Sequence, residues 1–370
     1  MKRVFVAVSV AAAVLLAACG GNSSSTTNPS TGSAYTGPTP PSASLTGAGA
    51  TFPAPFYTTA FYAFNQRFSQ VTINYQAVGS GAGIQQLTKK TVDFGASDVP
   101  MSASELAAAG GSDAVVQVAG TLGTEGLAYN LQGVANGQLK LTSDTIAGIF
   151  LGKIKTWNDP ALAADNSGVS LPSTPITVVH RSDGSGTTYI FTDYLSSTNA
   201  EWKSKIGKGK SVSWPAGEQG AKGNEAVATT IKQTPGAIGY VELAYILQTN
   251  MTQASLKNHD GNFVIPSKEG ATAAASQFPN VTPTNFSIVN APGANSAPIT
   301  GFSWLMLYKD QQDKTKGTAL VDMLYWLVKD GQQYANTVSY AQLPAGIVAN
   351  DVTALKSVTS GGSALLTVSS

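Results

Sequence analysis

The sequence predicts an α/β fold in which mainly parallel sheets are covered by helices on both faces. From Ser44 onward, segments with strand patterns alternate with segments with helix patterns, which is typical of such sheets. Three Gly-rich turns each stand between a predicted strand and a predicted helix. The chain of 370 residues is 42% hydrophobic, long enough for two domains with a substantial core.

The individual elements follow from periodicity and capping signals. Val71, Ile73 and Tyr75 alternate with polar residues, as in a half-buried strand, and Ser102 and Glu105 have the spacing of a helix capping box. Strands are predicted at 71–75, 92–96, 176–180, 237–241 and 304–308. Helices are predicted at 84–87, 102–109, 187–195 and 318–328.

The composition excludes several classes of function. With 22 basic and 21 acidic residues, the chain has no bulk positive field to recruit nucleic acid or anionic lipid. The single Cys cannot form an internal disulfide, and two isolated His, His180 and His259, cannot build a His-rich metal site. We therefore expect neither a metal nor an organic cofactor.

The first 18 residues are predicted to be a secretory signal peptide. A basic start, Lys2-Arg3, precedes an apolar run from Val4 to Ala18 that is short for a membrane span. The run ends in Leu-Ala-Ala-Cys-Gly, which resembles a bacterial lipobox and makes Cys19 the predicted lipidation site. The alternative is an ordinary signal peptide with a chance Cys.

Residues 19–43 are predicted to be a lipid-anchored disordered tether. The stretch after Cys19 is rich in Ser, Thr, Gly and Pro, and such composition cannot bury enough apolar surface to fold. As a flexible coil it would reach roughly 25–30 Å. The expected location is therefore periplasmic or otherwise extracytoplasmic, attached to a membrane by an acyl anchor.

The three Gly-rich turns, at 47–52, 79–83 and 183–188, indicate a small anionic ligand. A helix start presents unpaired N–H groups, Gly permits close backbone approach, and Ser and Thr add hydroxyl donors. None of the turns matches a nucleotide-binding pattern. Arg181 could bind an oxyanion through its guanidinium or form a surface ion pair with Asp183. Asp98 could face a ligand or be the N-cap of the next helix.

Several segments together resemble the periplasmic phosphate-binding protein of the high-affinity phosphate ABC importer. They include LTGAGATFPAPFY at 45–57, YQAVGSGAGIQQL at 75–87, VDFGASDVPMS at 92–102, HRSDGSGTTYIFTDYL at 180–195 and GAIGYVELAY at 236–245. The resemblance runs from about Ser44 to about Leu355. It implies a two-lobed periplasmic-binding-protein fold (type II-like), with a hinge between lobes that close on phosphate. The first lobe would comprise 44–122 and 297–370, and the second 123–296.

The resemblance also implies a binding site, a partner and a role without catalysis. The phosphate ligands that carry over are Ala50, Thr51, Phe52, Ser80, Asp98, Arg181, Ser185, Gly186 and Thr187, with Asp183 supporting Arg181. The expected partners are inorganic phosphate and the transmembrane permease subunits of a phosphate ABC transporter, with the protein itself a monomer. His180 and Ser182 depart from the family pattern beside Arg181, and a neutral His180 would make the rim of the cleft less basic.

Asp98 is the residue expected to discriminate between oxyanions. Phosphate keeps a proton at neutral pH that it can donate to a buried carboxylate, whereas sulfate would place two acceptors face to face. Three alternatives remain: a binding protein for sulfate or molybdate, a sensor or adhesin without transport, and a serine hydrolase using Ser185, His180 and Asp183. The hydrolase lacks the Gly-x-Ser-x-Gly pattern.

Overall fold

The computed structural model describes residues 35–215 and 217–368, and the residues from Gly37 on form one compact unit. Its strands are β1 (Ala43–Gly49), β2 (Val71–Ala77), β3 (Phe94–Ser97), β4 (Val115–Tyr129), β5 (Lys140–Leu141), β6 (Thr177–Arg181), β7 (Gln219–Ala221), β8 (Ala237–Glu242), β9 (Thr252–Gln253), β10 (Ser255–Lys257), β11 (Phe263–Val264), β12 (Thr300–Tyr308), β13 (Thr359–Ser360) and β14 (Ser363–Ala364).

The helices lie between these strands along the chain. They are α1 (Ala54–Arg67), α2 (Ser80–Thr88), α3 (Ala103–Ala108), α4 (Ser143–Phe150), α5 (Pro160–Asp165), α6 (Gly186–Thr198), α7 (Ala200–Lys205), α8 (Gly223–Gln233), α9 (Leu243–Gln248), α10 (Lys268–Ser276), α11 (Lys314–Val328) and α12 (Ala345–Lys356). A 3-10 helix follows α11 at Asp330–Val338.

The main sheet has the strand order β2-β1-β3-β12-β4-β8-β6-β7, with β9 paired to β4. Its two ends are parallel, β2-β1-β3 and β8-β6-β7. The second and third Gly-rich turns follow β2 and β6, whereas the first begins within the last three residues of β1. The centre, β12-β4-β8, is antiparallel. The α/β class is confirmed, and the expectation of parallel strands holds at the ends of the sheet but not at its centre.

Strand β4 belongs to both halves of the sheet. Its first part pairs with β12 as far as Thr124, and its last five residues, from Glu125 to Tyr129, pair with β8. At the change of partner, the Glu125 N–H donates to Ile299 O at 2.8 Å, just before β12 begins. The chain thus passes between the two halves at two adjacent positions, 124–125 and 299–300.

The predicted strands and helices are all present, with shifted ends. The Ser102–Glu105 capping box is confirmed: Ser102 Oγ accepts from Glu105 N–H, and Glu105 Oε2 accepts from Ser102 N–H. The helix predicted at 84–87 begins at Ser80, because the Gly-rich residues before it form its first turn. Strand β4 has no predicted counterpart, since its fifteen residues are almost all buried and show no alternation.

The predicted signal peptide, Cys19 and most of the tether lie outside the described residues. Strand β1 begins at Ala43, and the preceding segment contacts the folded unit: Gln70 Nε2 donates to Pro40 O at 2.9 Å. Within the described ranges, none of the helices has the length and apolar composition of a membrane span.

A close approach of α2 to the sheet requires Gly83. A Cβ at this position would lie 2.4 Å from Gly49 Cα and 2.6 Å from Ala48 O, which are backbone atoms of β1. Gly83→Ala should therefore lower the free energy of unfolding by roughly 1–2 kcal/mol, since overpacking of about 1–3 kcal/mol exceeds the gain in helix propensity of about 1 kcal/mol.

The matched control is Gly346→Ala in α12, where the nearest atom to a new Cβ is Pro279 O at 3.8 Å. With room for the methyl group, this variant should be unchanged or stabilised by about 0.5–1 kcal/mol. Urea denaturation of both variants checks the pair. Equal stabilities would contradict the steric argument.

Candidate functional site

The three Gly-rich turns come together at one place. The Gly81 N–H donates to Gly184 O at 2.8 Å, and the Gly186 N–H donates to Ser80 Oγ at 3.0 Å, so the second and third turns are in direct contact. The first turn reaches the third through Asn224, whose side-chain amide contacts both Thr51 and Thr187. The structure therefore assembles residues that are more than a hundred positions apart in the sequence.

Three tyrosines hydrogen-bond the backbone of the first turn. The carbonyl oxygens of three consecutive residues each accept a hydrogen bond from a phenol: Ala50 O from Tyr75 at 2.7 Å, Thr51 O from Tyr245 at 2.6 Å, and Phe52 O from Tyr340 at 2.5 Å. Because the carbonyl and the N–H of a trans peptide point in opposite directions, the N–H groups of Thr51 and Phe52 point away from the tyrosines. The Ala50 N–H itself donates to Ala96 O at 2.9 Å in the sheet, so Ala50 contributes position rather than a free donor.

Arg181 ends β6 with a side chain that is 1% exposed. Its Nε donates to Asp183 Oδ1 at 2.8 Å and its Nη2 to Asp183 Oδ2 at 2.6 Å, while Nη1 donates to Thr187 Oγ1 at 3.1 Å. These bonds use three of the five guanidinium N–H groups and leave one on each terminal nitrogen for a ligand. Because Arg181 is buried and Asp183 is partly buried, the pair is not the exposed surface pair that was the alternative, and the two bonds fix the plane of the guanidinium.

The third turn forms the start of α6, where Ser185 is the N-cap. Ser185 Oγ accepts from Thr188 N–H at 3.0 Å, and its own N–H donates to Lys210 O at 2.8 Å. The His180 ring stacks on Trp214, with 4.7 Å between ring centroids, and its Nδ1 lies 2.9 Å from Arg181 O. No hydrogen bond joins Ser185 to His180 among the described residues, so the nucleophile–base contact of a serine hydrolase is not formed in this structure.

Asp98 lies directly against the third turn. A Cβ on Gly186 would lie 2.5 Å from both Cβ and Oδ2 of Asp98, so only Gly fits at position 186. Asp98 Oδ1 accepts from Ser303 Oγ at 2.7 Å, and the N-cap of the following helix is Ser102, so the capping interpretation of Asp98 is wrong. Burial raises the pKa of Asp98 to about 7, with the hydrogen bond from Ser303 and the charge of Arg181 opposing the shift. This carboxyl can therefore take up or release a proton near neutral pH.

Comparison with known proteins places this site in a family. The profile of the PBP superfamily domain matches residues 31–330. The "Phosphate-binding protein PstS" of Xylella fastidiosa is 44% identical over 318 residues, covering 84% of this chain and 86% of that protein. The protein of the same name from Haemophilus influenzae is 43% identical over 309 residues, covering 82% and 90%. The chain belongs to the PstS family of phosphate-binding proteins.

Solved structures show the same fold. The "Phosphate-Binding Protein from Stenotrophomonas maltophilia" superposes with a TM-score of 0.67 at 19% identity, covering 84% of this chain and 93% of that one. The high-affinity periplasmic phosphate-binding protein PfluDING, solved with bound phosphate, gives a TM-score of 0.67 at 23% identity and covers 83% and 92%. The two-lobed fold expected from the sequence is thereby confirmed.

Two glutamates that sequence analysis did not single out lie buried near Asp98 in this PstS-family chain. Glu125 and Glu242 face each other across β4 and β8, and both are 0% exposed. Burial raises the pKa of each well above its ordinary value, and the nearby charge of Asp98 raises it further. Protonated, they add no negative charge to a site that already contains Asp98 and Asp183.

The hydrogen bonds of Tyr340 give independent support for a proton on Glu242. The phenol oxygen lies 2.5 Å from Phe52 O and 2.8 Å from Glu242 Oε2, yet it has one proton and Phe52 O can only accept. If Tyr340 donates to Phe52 O, the second bond requires Glu242 to donate. A neutral Glu242 therefore satisfies both contacts at once.

Glu125 has no hydrogen-bond partner for either carboxylate oxygen among the described residues. Because the pKa of Glu125 is raised in the folded state, the unfolded chain binds fewer protons once the pH exceeds the unfolded pKa. This group thus lowers stability progressively as the pH rises toward its folded pKa. Glu125→Gln removes the ionisation and should increase the free energy of unfolding more at pH 8 than at pH 5.

Denaturant unfolding of both proteins at the two pH values checks this prediction. Glu269→Gln, on an exposed residue of α10, is the control and should change little at either pH. An equal effect of Glu125→Gln at pH 5 and pH 8 would contradict the assigned protonation.

His180 and Ser182, which flank Arg181, each hydrogen-bond a backbone oxygen. Burial lowers the pKa of His180, so its ring is neutral at neutral pH, and with Arg181 O as acceptor the proton is on Nδ1. Ser182 donates its N–H to Ala221 O at 3.0 Å. Arg181 is the buried cation whose charge acts on Asp98 at this turn.

Other supporting residues come from distant segments with no local signal of function. They are Tyr75, Asn224, Tyr245, Ser303 and Tyr340. In the sequence, the tyrosines among them resemble ordinary core residues. Their hydrogen bonds to the first Gly-rich turn are visible only in the structure. Among the described residues, no group of His, Cys, Asp or Glu is arranged to hold a metal ion.

Proposed function

We propose that this protein binds inorganic phosphate between its two lobes and delivers it to the permease subunits of a phosphate ABC importer. The observation that carries the proposal is the convergence of three helix-start turns, one buried Arg and one proton-exchanging carboxyl at a single place. The names of the curated relatives, which state phosphate binding, support the same ligand.

The proposed ligand residues are those carried over by the family resemblance. They are Ala50, Thr51, Phe52, Ser80, Asp98, Arg181, Ser185, Gly186 and Thr187, with Asp183 supporting. Backbone N–H groups, hydroxyls and two guanidinium N–H groups would donate to phosphate oxygens, and such preorganised donors need no bulk positive charge. Asp98 would accept the proton that phosphate carries, a contact that sulfate cannot offer.

The two lobes would be 44–122 with 297–370, and 123–296, as the sequence resemblance implies. Several contacts join these ranges around the site: Gly81 with Gly184, Ser80 with Gly186, the ion pair of Glu105 with Lys210, and Tyr340 with Glu242. Rotation about the two crossing points near 124–125 and 299–300 would separate all of them together. Phosphate would add its own contacts to both lobes and so favour closure.

The cellular setting belongs to the same proposal. The lipobox-like sequence at Cys19 and the polar tether would hold a monomer on the outer side of a membrane, next to the permease. Binding alone would complete its task, since no step of delivery requires a covalent change in phosphate.

Thermal unfolding with a series of oxyanions tests the proposed function. Phosphate at about a thousand times its dissociation constant should stabilise the protein by roughly 4 kcal/mol, and arsenate, which is also protonated, should act similarly. Sulfate and molybdate should have little effect. Stabilisation by sulfate or molybdate in place of phosphate would identify a different oxyanion as the ligand, and no shift with any of them would overturn the proposal.

A further inference from the structure

We propose that Asn224 is a positioning residue that forces the hydroxyls of Thr51 and Thr187 to act as donors toward the bound anion. This inference rests on the proposed function and adds a residue that sets its specificity. Asn224 is the second residue of α8 and is 0% exposed. Its side chain lies between the first and third Gly-rich turns.

The orientation of the Asn224 amide is determined by the backbone of β8. The Glu242 N–H donates to Asn224 Oδ1 at 3.0 Å, and a backbone N–H can only donate. The oxygen of the amide therefore faces β8, and the NH2 group faces the two threonines. A flipped amide would place two donors against each other on the β8 side.

Asn224 occupies the accepting positions of the Thr51 hydroxyl. Thr51 Oγ1 accepts from Asn224 Nδ2 at 3.0 Å and from Asn224 N–H at 3.2 Å. A hydroxyl has two lone pairs and one proton, so both lone pairs of Thr51 are engaged. The Thr51 O–H can then only donate, and it must do so to some other acceptor.

The Thr187 hydroxyl is in the same situation. Its Oγ1 accepts from Asn224 Nδ2 at 3.1 Å and from Arg181 Nη1 at 3.1 Å. Its proton is likewise left for a third partner. Thr51 is 7% and Thr187 0% exposed, so bulk water is a poor substitute for that partner.

The Asn224 amide thus makes the hydroxyls of Thr51 and Thr187, one from each proposed lobe, obligate hydrogen-bond donors. A hydroxyl that is free to rotate could accept a hydrogen bond from a protonated ligand oxygen. These two hydroxyls can only donate, so they bind unprotonated ligand oxygens. With Asp98 as the acceptor, the site would then specify where the single proton of phosphate lies. Asn224 would thus contribute to affinity without touching the ligand.

Calorimetric titration with inorganic phosphate tests the inference on Asn224→Ala and Asn224→Asp. Asn224→Ala leaves both hydroxyls free to rotate and should weaken phosphate binding by about 10-fold. In Asn224→Asp both hydroxyls can donate to the new carboxylate, and phosphate binding should weaken by about 100-fold or more. The matched control is Asn166, also buried, whose amide bonds only to the backbone of Lys140 and Leu162. Asn166→Ala and Asn166→Asp should lower the melting temperature but leave the phosphate affinity within about twofold.

A double-mutant cycle separates positioning from a merely structural role. If Asn224 acts through both hydroxyls, Asn224→Ala should weaken binding by only about 3-fold in a Thr51→Val background, against about 10-fold in the wild type, because only Thr187 is then left to be positioned. An equal fold-loss in both backgrounds, or wild-type affinity in Asn224→Asp, would overturn the inference. Wild-type protein that binds no phosphate would instead overturn the proposed function on which the inference rests.

Discussion

Replacing Arg181 with Met is expected to lower the affinity for phosphate by about 100-fold or more. Truncating one partner of a buried charge pair costs about 2–5 kcal/mol, which is the basis of this magnitude. The variant removes the two guanidinium N–H groups that face away from Asp183 and Thr187. It also leaves the Asp183 carboxylate without its main partner next to an anion. Calorimetry with phosphate measures the loss.

The double variant Arg181→Met with Asp183→Asn tests the second part of this argument. With the leftover carboxylate gone, part of the lost affinity should return. Lys153→Met is the control, since Lys153 also pairs with a carboxylate but is half exposed and far along the chain from the turns. Unchanged phosphate affinity in Arg181→Met would contradict the assignment of Arg181 as a ligand.

The second large effect is expected from Asp98→Asn, which should shift the ratio of sulfate to phosphate affinity toward sulfate by about 10-fold or more. The carboxylate of Asp98 can accept a proton from phosphate, but it would face an unprotonated sulfate oxygen as one acceptor against another. An amide at this position can donate to either anion. Competition titrations with the two anions measure the ratio.

The pH dependence of phosphate binding provides a separate check on Asp98. Burial raises the pKa of Asp98 to about 7, so the free protein gains a proton on this carboxyl as the pH falls below neutral, whereas the phosphate dianion keeps its one proton above pH 7. Because the proposed contact needs an ionised Asp98 that accepts the phosphate proton, the wild-type affinity should hold above pH 7 and fall as the pH falls below it. Asp98→Asn should lose less affinity with falling pH, since its amide does not titrate.

Asp322→Asn is the matched control for both experiments on Asp98. Asp322 is also buried, with a pKa that burial raises to about 7, but it lies in α11 outside the three turns. This substitution should leave the anion preference and its pH dependence unchanged. An unchanged sulfate-to-phosphate ratio in Asp98→Asn would contradict the role of Asp98 in selectivity.

Sequence patterns predicted those strands and helices whose formation depends on neighbouring residues. Capping of α3 by Ser102, and the alternation in β2, depend on neighbouring residues only. Strand β4 has no such signal, because it is buried on both faces at the centre of the sheet and changes its pairing partner midway. Its antiparallel pairing with β12 joins residues nearly two hundred positions apart, which periodicity cannot indicate.

The candidate binding site could likewise be predicted from the sequence only in part. Gly-rich turns and Arg181 carry chemical signals of their own, and the family resemblance added the set of proposed ligands. The supporting groups do not carry such signals: Tyr340 hydrogen-bonds Phe52 from 288 positions away, and Ser303 reaches Asp98 across 205. Buried Glu125 appears in the sequence as an ordinary acidic residue, and only its environment indicates that it is protonated.

We propose that this site holds one protonated oxyanion through donors of both lobes and one accepting carboxylate. Calorimetric titration of the purified protein at neutral pH with phosphate, and in parallel with sulfate, is the decisive test. One phosphate should bind per chain, with sulfate at least about 100-fold weaker. Sulfate binding as tight as phosphate, or no binding of phosphate, would contradict it.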